Sequence, residues 1–186
     1  AVISNKADAY GLERARSAGI PTRALDHRGF ADRAAYDQAL IEQIDAFAPD
    51  LVLLAGFMRI LTATFVTHFH GRLLNIHPSL LPKYKGLQTH QRALDAGDAE
   101  AGASIHFVTE ELDGGPLVLQ GRVVIHPDDD ADSLATRVQQ QEHRLYPLVV
   151  RWFASGRLRL INGLASLDGA PIPSGGLRLE TIESSM

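Results

Sequence analysis

The amino-acid sequence predicts an α/β protein with an open, mostly parallel sheet and helices on both faces. Three observations carry this prediction. Strand-like and helix-like segments alternate along the first half of the chain. Residues 51–55 form a continuous apolar run ended by Gly56, which is typical of a parallel strand covered on both faces. Residues 31–48 space their apolar side chains for one helical face before Pro49 ends the helix.

The remaining elements follow from the same patterns. The sequence predicts further strands at 1–4, 20–25, 73–76, 103–109 and 117–125, and further helices at 8–17, 88–96 and 132–154. Beyond about Asp168 the chain is rich in Gly, Pro and Ser, a composition that favours irregular structure. We therefore expect one domain over residues 1–164 and a loose C-terminal tail over residues 165–186.

Composition excludes several classes of protein. The 186 residues include 18 Lys and Arg against 22 Asp and Glu, a net charge of −4 that offers no basic excess for nucleic acid. With no cysteine, the chain has no disulfide and no thiolate nucleophile. No apolar run reaches the roughly 18 residues that a membrane span needs. We therefore expect a cytoplasmic enzyme or binding domain, with small molecules as partners.

The first candidate site follows the predicted strand at 73–76. Asn75 and His77 are two residues apart, so on an extended backbone both side chains point the same way. An amide can donate to a carbonyl oxygen, and an imidazole can move a proton near neutral pH. Two alternatives stay open, because His77 could be a hydrogen-bonded structural histidine and Asn75 could cap a turn.

The second candidate site lies in the turn at 113–116. Gly114 and Gly115 let the chain bend there, so the carboxylate of Asp113 could orient His77 and stabilise its imidazolium form. An Asp before two glycines is also a common turn residue. His106 could face the same side as this site or could be a core histidine.

Other catalytic chemistries have weaker support. Ser79 lacks the Gly-x-Ser-x-Gly elbow of a nucleophilic serine. His68 and His70 have a metal-like spacing without a third ligand in register. We therefore expect acid–base or electrostatic catalysis without a covalent intermediate, and no metal.

Several segments together resemble one enzyme family, the folate-dependent formyltransferases. The similar segments are residues 75–82 and 112–116, together with 4–8, 55–61, 81–84, 106–109, 141–143 and 146–147. The resemblance extends from about Ala1 to Arg159. It implies a Rossmann-like formyltransferase fold, with residues 1–164 as its catalytic domain.

The resemblance also implies a reaction. It is closest to the branch of the family that transfers a formyl group from 10-formyltetrahydrofolate to the amine of glycinamide ribonucleotide in de novo purine biosynthesis. Two alternatives stay open: a hydrolase that releases formate from the same folate, and a truncated folate-binding domain without activity. We expect a monomer or homodimer.

Family resemblance assigns roles residue by residue. His77 resembles the general acid or electrostatic catalyst, Asn75 the donor to the formyl oxygen, and Asp113 the carboxylate that keeps His77 protonated. The folate contacts implied are Arg33, Met58, Arg59, Ile60, Leu61, Asn75, Thr109 and Asp113. Gln139 and Glu142 resemble contacts to the nucleotide phosphate and ribose, although each could be a polar position on an exposed helix face.

The sequence departs from the family at two places. Relatives open with a strand and a glycine-rich loop that holds the nucleotide phosphate, and neither is found before the segment that begins at Ala1. We therefore expect a native segment to precede Ala1. Lys85 adds a positive charge near the candidate site, and nothing in the sequence explains it.

Overall fold

The computed structural model describes residues 1–183, and it contains the alternation of strands and helices that the sequence predicts. The strands are β1 (Val2–Ser4), β2 (Thr22–Ala24), β3 (Val52–Leu54), β4 (Leu73–His77), β5 (Glu100–Phe107), β6 (Leu117–Val124), β7 (Leu158–Ile161), β8 (Leu164–Leu167), β9 (Ala170–Pro171) and β10 (Leu177–Arg178). The helices are α1 (Tyr10–Ser17), α2 (Arg33–Asp45), α3 (Ala63–His68), α4 (Thr89–Asp95), α5 (Ala131–Ala154) and α6 (Leu179–Glu183). Within residues 1–183, none of these helices has the length and apolar content to cross a membrane.

The chain divides into two compact units. The first unit comprises residues 1–50 and 61–68, and the second comprises residues 51–60 and the described residues from Phe69 on. In the first unit, β1 and β2 pair in parallel. Helix α2 begins where the side chain of Asp32 accepts a hydrogen bond from the backbone N–H of Ala35, at 2.8 Å, which satisfies one of the free donors of the first turn. The first unit was expected as part of one domain, and that expectation stays a prediction.

The second unit is built on a sheet with the strand order β10-β6-β5-β4-β3 among the described residues. Strands β3 and β4 are parallel, as are β6 and β10, whereas β5 pairs antiparallel with both of its neighbours. Of these five strands, β5 is therefore the one that runs opposite to the rest. It connects to β6 through the turn at Asp113 that the sequence predicts.

The two faces of this sheet differ in chemistry because residues alternate along each strand. One face is apolar, with Leu74 and Ile76 of β4 packed in the same core as Ile105 of β5 and Leu119 of β6. Helix α5 covers this core with Leu134, Val138, Leu145 and Val149, which are spaced for one helical face. The other face carries the polar residues of β4, which include Asn75 and His77.

A buried polar network fixes the loop after His77. The hydroxyl of Ser104 on β5 donates to the carbonyl of Ser79 at 2.6 Å and accepts from the N–H of Leu81 at 3.1 Å. The side-chain amide of Gln120 on β6 lies within hydrogen-bond distance of the carbonyl of Leu81 and the hydroxyl of Ser104. Satisfied buried polar groups are costly to displace, so this network holds the loop on the sheet.

The expected loose tail differs from the structure. Residues 164–183 include β8, β9, β10 and α6, and β10 adds a parallel strand to the edge of β6. Ala165, Ile172 and Leu179 are buried and belong to the main core. A few apolar residues are therefore enough to anchor this segment in the core, despite its Gly- and Pro-rich composition. Residues 184–186 of the expected tail lie outside the described residues.

Candidate active site

Strand β4 brings the first two candidate residues onto one face, as predicted. Asn75 and His77 alternate with the buried Leu74 and Ile76, so their side chains emerge on the polar face of the sheet. Asn75 lies directly opposite His106 of β5 in the antiparallel register. His106 therefore joins Asn75 and His77 on that face, which decides the question that the sequence left open.

Asp113 reaches His77 from the loop between β5 and β6, residues 108–116, which we call the acid loop. One carboxylate oxygen, Oδ2, lies 3.4 Å from Nδ1 of His77, and each of the two side chains is 8% exposed. The same oxygen accepts the backbone N–H of Gly86 at 2.8 Å. Asp113 has a positive φ of 48°, a left-handed conformation that Asp adopts more readily than most residues. The acid loop thus aims a buried carboxylate at the imidazole.

Both ring nitrogens of His77 face hydrogen-bond acceptors. Nε2 lies 2.9 Å from the carbonyl oxygen of Tyr84, and a carbonyl can only accept, so Nε2 carries a proton. Nδ1 faces the carboxylate of Asp113, which also only accepts when ionised. A neutral imidazole has one N–H and cannot serve both partners. Both partners are satisfied together only when the imidazole carries a proton on each nitrogen and the carboxylate of Asp113 is the acceptor.

His106 is held as a neutral histidine beside this ion pair. Burial lowers its pKa, although its hydrogen bond to Phe107 and the charge of Asp113 act in the opposite direction. Nδ1 lies 2.9 Å from the carbonyl of Phe107, which assigns the single proton of the neutral ring to Nδ1. Nε2 then carries a lone pair, which lies 3.2 Å from Nδ2 of Asn75.

This lone pair orients the amide of Asn75. Because Nε2 of His106 accepts, Asn75 presents its NH₂ group to it and donates one of its two N–H bonds. The second N–H of the same group is left to donate elsewhere on the polar face. The structure thus joins Asn75, His106, Asp113 and His77 in one chain of contacts, with 3.8 Å between Nε2 of His106 and Oδ1 of Asp113.

Gly115 lets the acid loop close against β5, and we expect its substitution to destabilise the protein. A Cβ at this position would overlap the carbonyl oxygen of Phe107, which is backbone and cannot move away cheaply. Gly115→Ala should lower the free energy of unfolding by roughly 1–3 kcal/mol, the usual cost of overpacking. Urea denaturation measures this loss. Gly175→Ala is the matched control, because a Cβ there meets nothing within 4 Å, and equal urea midpoints for both variants would contradict the explanation.

The segment that follows β3 carries the predicted folate contacts Met58, Arg59 and Ile60. Met58 is 70% exposed and Ile60 is 57% exposed, so two large apolar side chains lie open to solvent. Thr109 is half-buried and lies near the start of the acid loop, in the same unit. Arg33, exposed at the start of α2, and Leu61 belong to the first unit. The folate-binding role of all these residues stays a prediction.

The predicted nucleotide contacts Gln139 and Glu142 lie on α5. Gln139 is exposed, whereas Glu142 is half-buried, and burial raises its pKa despite the opposing charge of His143. Helix α5 packs on the apolar face of the sheet, whereas Asn75 and His77 emerge on the other face. The role of Gln139 and Glu142 as nucleotide contacts stays a prediction.

His68, one of the two histidines with a metal-like spacing, contacts a carboxylate. Nε2 of His68 lies 2.8 Å from Oδ2 of Asp45, and both side chains are well exposed. Across residues 1–183, no group of three or more His, Asp or Glu side chains is arranged to hold a metal ion.

Comparison with known proteins decides the family. The sequence profile of the formyl transferase family matches residues 1–150. The chain belongs to the formyl transferase family. The resemblance seen in the sequence motifs is therefore confirmed, and the site residues of β4 and the acid loop all lie within the matched range.

Relatives within the family agree with this assignment. The chain is 60% identical over 176 residues to a phosphoribosylglycinamide formyltransferase of Escherichia coli, which covers 95% of this chain and 83% of the relative. It is 51% identical to the protein of the same name from Haemophilus influenzae, over 94% of this chain and 82% of the relative. The solved phosphoribosylglycinamide formyltransferase of Coxiella burnetii superposes with a TM-score of 0.90 at 52% identity, over 95% of this chain and 83% of that chain. The predicted α/β formyltransferase fold is thereby confirmed.

Two contributors to the site were missed by sequence reasoning because they are backbone groups. The carbonyl of Tyr84 contacts His77, and the N–H of Gly86 holds Asp113. Both belong to residues 84–88, which we call the bracket segment. Backbone groups have no signature of residue type, and the one available signal was Gly86 itself, whose φ of 80° suits glycine.

Proposed function

We propose that the chain transfers a formyl group from 10-formyltetrahydrofolate to the amine of glycinamide ribonucleotide, a step of de novo purine biosynthesis. The observation that carries the proposal is the buried pair of His77 and Asp113 beside the amide of Asn75, in a member of the formyl transferase family. Relatives named phosphoribosylglycinamide formyltransferase, at 60% and 51% identity, support the choice of substrate.

Asn75 and His77 act on the charge that develops during the reaction. Attack of the amine nitrogen on the formyl carbon forms a new C–N bond and leaves negative charge on the formyl oxygen. The unused N–H of Asn75 donates to that oxygen. The imidazolium of His77 adds a fixed positive charge within a buried site, where such interactions are stronger than in water. Because both ring nitrogens of His77 already have partners, its electrostatic role is the one that the geometry supports best.

Asp113 completes the reaction by holding charge and accepting a proton. The tetrahedral intermediate breaks down when the bond between the formyl carbon and the folate nitrogen is cleaved. The folate nitrogen gains a proton, and the attacking amine loses one. We assign Asp113 as the group that takes up the amine proton through water and passes it, again through water, to the leaving folate nitrogen, so that the carboxylate is regenerated. Its second oxygen, Oδ1, is the one suited to this role, because it lies farther from its nearest imidazole, at 3.8 Å.

The exposed apolar side chains near β3 suit an aromatic cosubstrate. Met58 and Ile60 offer a flat apolar surface for a pterin ring, and Thr109 on the acid loop forms the opposite wall in this proposal. Arg59 supplies positive charge for the folate carboxylates. Gln139 and Glu142 are assigned to the nucleotide phosphate and ribose.

Dependence on the nucleotide tests the proposal directly. The chain is incubated with 10-formyltetrahydrofolate, with and without glycinamide ribonucleotide, and the formylated nucleotide is followed by mass spectrometry. Formylated nucleotide that appears in step with loss of the formyl folate supports transfer. Equal loss of formyl folate without the nucleotide would establish a hydrolase instead. Binding of the folate with no turnover in either mixture would establish a binding domain. Either of these results overturns the proposal.

A further inference from the structure

The acid loop and the bracket segment meet at two points, and the second of them is a salt bridge. We propose that the ion pair between Lys85 and Glu111 positions Asp113 toward His77, which makes Lys85 and Glu111 positioning residues for the reaction. The inference rests on the proposed function, since it concerns the same site. It also explains the positive charge at Lys85 for which the sequence had no explanation.

The geometry shows why a second point of contact matters. Nζ of Lys85 lies 2.6 Å from Oε1 of Glu111, and the N–H of the next residue, Gly86, donates to Oδ2 of Asp113 at 2.8 Å. Lys85 and Gly86 are adjacent in the bracket segment, and each contacts the acid loop. Two contacts restrict the direction of the Asp113 carboxylate more than the hydrogen bond from Gly86 does alone.

The bracket segment is itself a fixed support. The guanidinium of Arg92 on α4 donates to the carbonyls of Lys85 and Leu87, at 2.7 and 3.3 Å. The phenol of Tyr84 donates to Oδ2 of Asp98 at 2.8 Å. The backbone around Lys85 is therefore held on both sides. Because Lys85 is fixed in this way, its contact with Glu111 restricts where the acid loop can lie.

Gly114 directs the side chain of Glu111 back over the turn. A Cβ at Gly114 would overlap the carboxyl end of Glu111, so this side chain lies directly against the residue that follows Asp113. The backbone supports the same turn, because the N–H of Gly114 donates to the carbonyl of Glu111 at 3.2 Å. Glycine allows the carboxyl end of Glu111 to lie this close. The φ of Gly114 is not positive, so its backbone conformation does not itself call for glycine.

The exposure of both side chains indicates that the ion pair contributes more to the position of Asp113 than to the free energy of unfolding. The side chain of Lys85 is 34% exposed and that of Glu111 is 69% exposed. Ion pairs with such exposure contribute little to the free energy of unfolding. A catalytic group displaced by about 1 Å nevertheless loses rate, so a modest contact can act on turnover through geometry.

Steady-state kinetics of formyl transfer test the inference. Lys85→Met and Glu111→Gln should each lower kcat by about two- to five-fold, the range expected for one exposed pair, with both KM values and the urea midpoint unchanged. Lys85→Arg should retain the wild-type kcat. The reversed pair Lys85→Glu with Glu111→Lys should recover most of it. Arg157→Met is the matched control, because it breaks the similarly exposed pair with Asp168, at 2.7 Å, and should leave kcat unchanged.

Gly114→Ala breaks the contact without changing either charge. The new Cβ displaces the carboxyl end of Glu111, so kcat should fall by the same factor as in Lys85→Met. When the two substitutions are combined, no further loss is expected, because both remove one interaction. A combined loss equal to the product of the two separate losses would overturn the inference.

Hydrogen exchange at Gly86 separates this inference from the proposed function. The N–H of Gly86 is the donor to Asp113, and in Lys85→Met it should exchange about two- to five-fold faster than in the wild-type chain. If the wild-type chain transfers no formyl group, the proposed function is wrong, and the exchange rate alone decides the positioning role. An unchanged exchange rate overturns the inference. A raised nucleotide KM that the reversed pair does not restore also overturns it, because Lys85 would then bind substrate.

Discussion

Replacing His77 by alanine is expected to lower kcat by at least about 100-fold, in the range that general acid–base and electrostatic catalysts supply. The substitution removes the imidazolium and leaves the carboxylate of Asp113 with the N–H of Gly86 as its remaining partner at that oxygen. The positive charge that stabilises the negative formyl oxygen is then lost, while the negative charge of Asp113 remains. Steady-state rates with saturating formyl folate and nucleotide measure this loss.

Control variants separate a lost catalyst from a damaged fold. His77 is buried, so the urea midpoint of His77→Ala is compared with that of the wild-type chain. His77→Gln keeps a polar side chain of similar reach and should be as slow as His77→Ala. His68→Ala removes an exposed histidine paired with Asp45 and should keep the wild-type kcat. Near-normal turnover in a folded His77→Ala chain would remove His77 from the mechanism.

Replacing Asn75 by alanine is expected to lower kcat by roughly 100- to 1,000-fold, the loss seen when one donor to a developing oxyanion is removed. The donor acts only once negative charge forms on the formyl oxygen, so kcat should fall while the KM for formyl folate changes little. Asn75→Ala also leaves Nε2 of His106 without its 3.2 Å partner. A loss of about 1–3 kcal/mol in the free energy of unfolding is therefore expected alongside.

His106→Gln is the informative comparison for Asn75. It keeps a polar group opposite Asn75, but a glutamine amide can present either its oxygen or its NH₂ group, so the direction of the Asn75 amide is no longer fixed. Its kcat should fall less than that of Asn75→Ala, because the oxyanion donor remains present in some orientations. If Asn75→Ala reduces kcat no more than His106→Gln does, the amide of Asn75 is not the donor to the formyl oxygen.

Several parts of this site could be predicted from the sequence because they follow from local patterns: the alternation of side chains along a strand, and glycines in a turn. The two-residue spacing of Asn75 and His77 placed both on one face, and the glycines after Asp113 allowed the turn. The alternation of side chains could not assign a role to His106, because it shows which face of a strand a residue lies on but not which group it hydrogen-bonds to. The bracket segment was missed since its contacts with His77 and Asp113 come from the backbone.

Errors at the C-terminal end have a physical reason as well. Short strands such as β9 and β10 contain too few residues for a period to be visible. Their stability comes from pairing with strands formed elsewhere in the chain, as β10 does with β6. Composition alone described this region as irregular, whereas the burial of Ile172 and Leu179 depends on tertiary contacts. Helix α3, six residues long, was missed for the same reason.

The left-handed backbone at Asp113 affects the result of every substitution at this position. Asparagine tolerates a φ of 48° about as well as aspartate, whereas alanine and especially valine or isoleucine pay a conformational penalty there. In a library of all side chains at position 113, the cost of the left-handed backbone would therefore separate the variants first. The chemistry of the side chain would separate only those that tolerate this backbone. Asp113→Asn is the one replacement that deletes the negative charge while it preserves both the shape of the side chain and the course of the main chain.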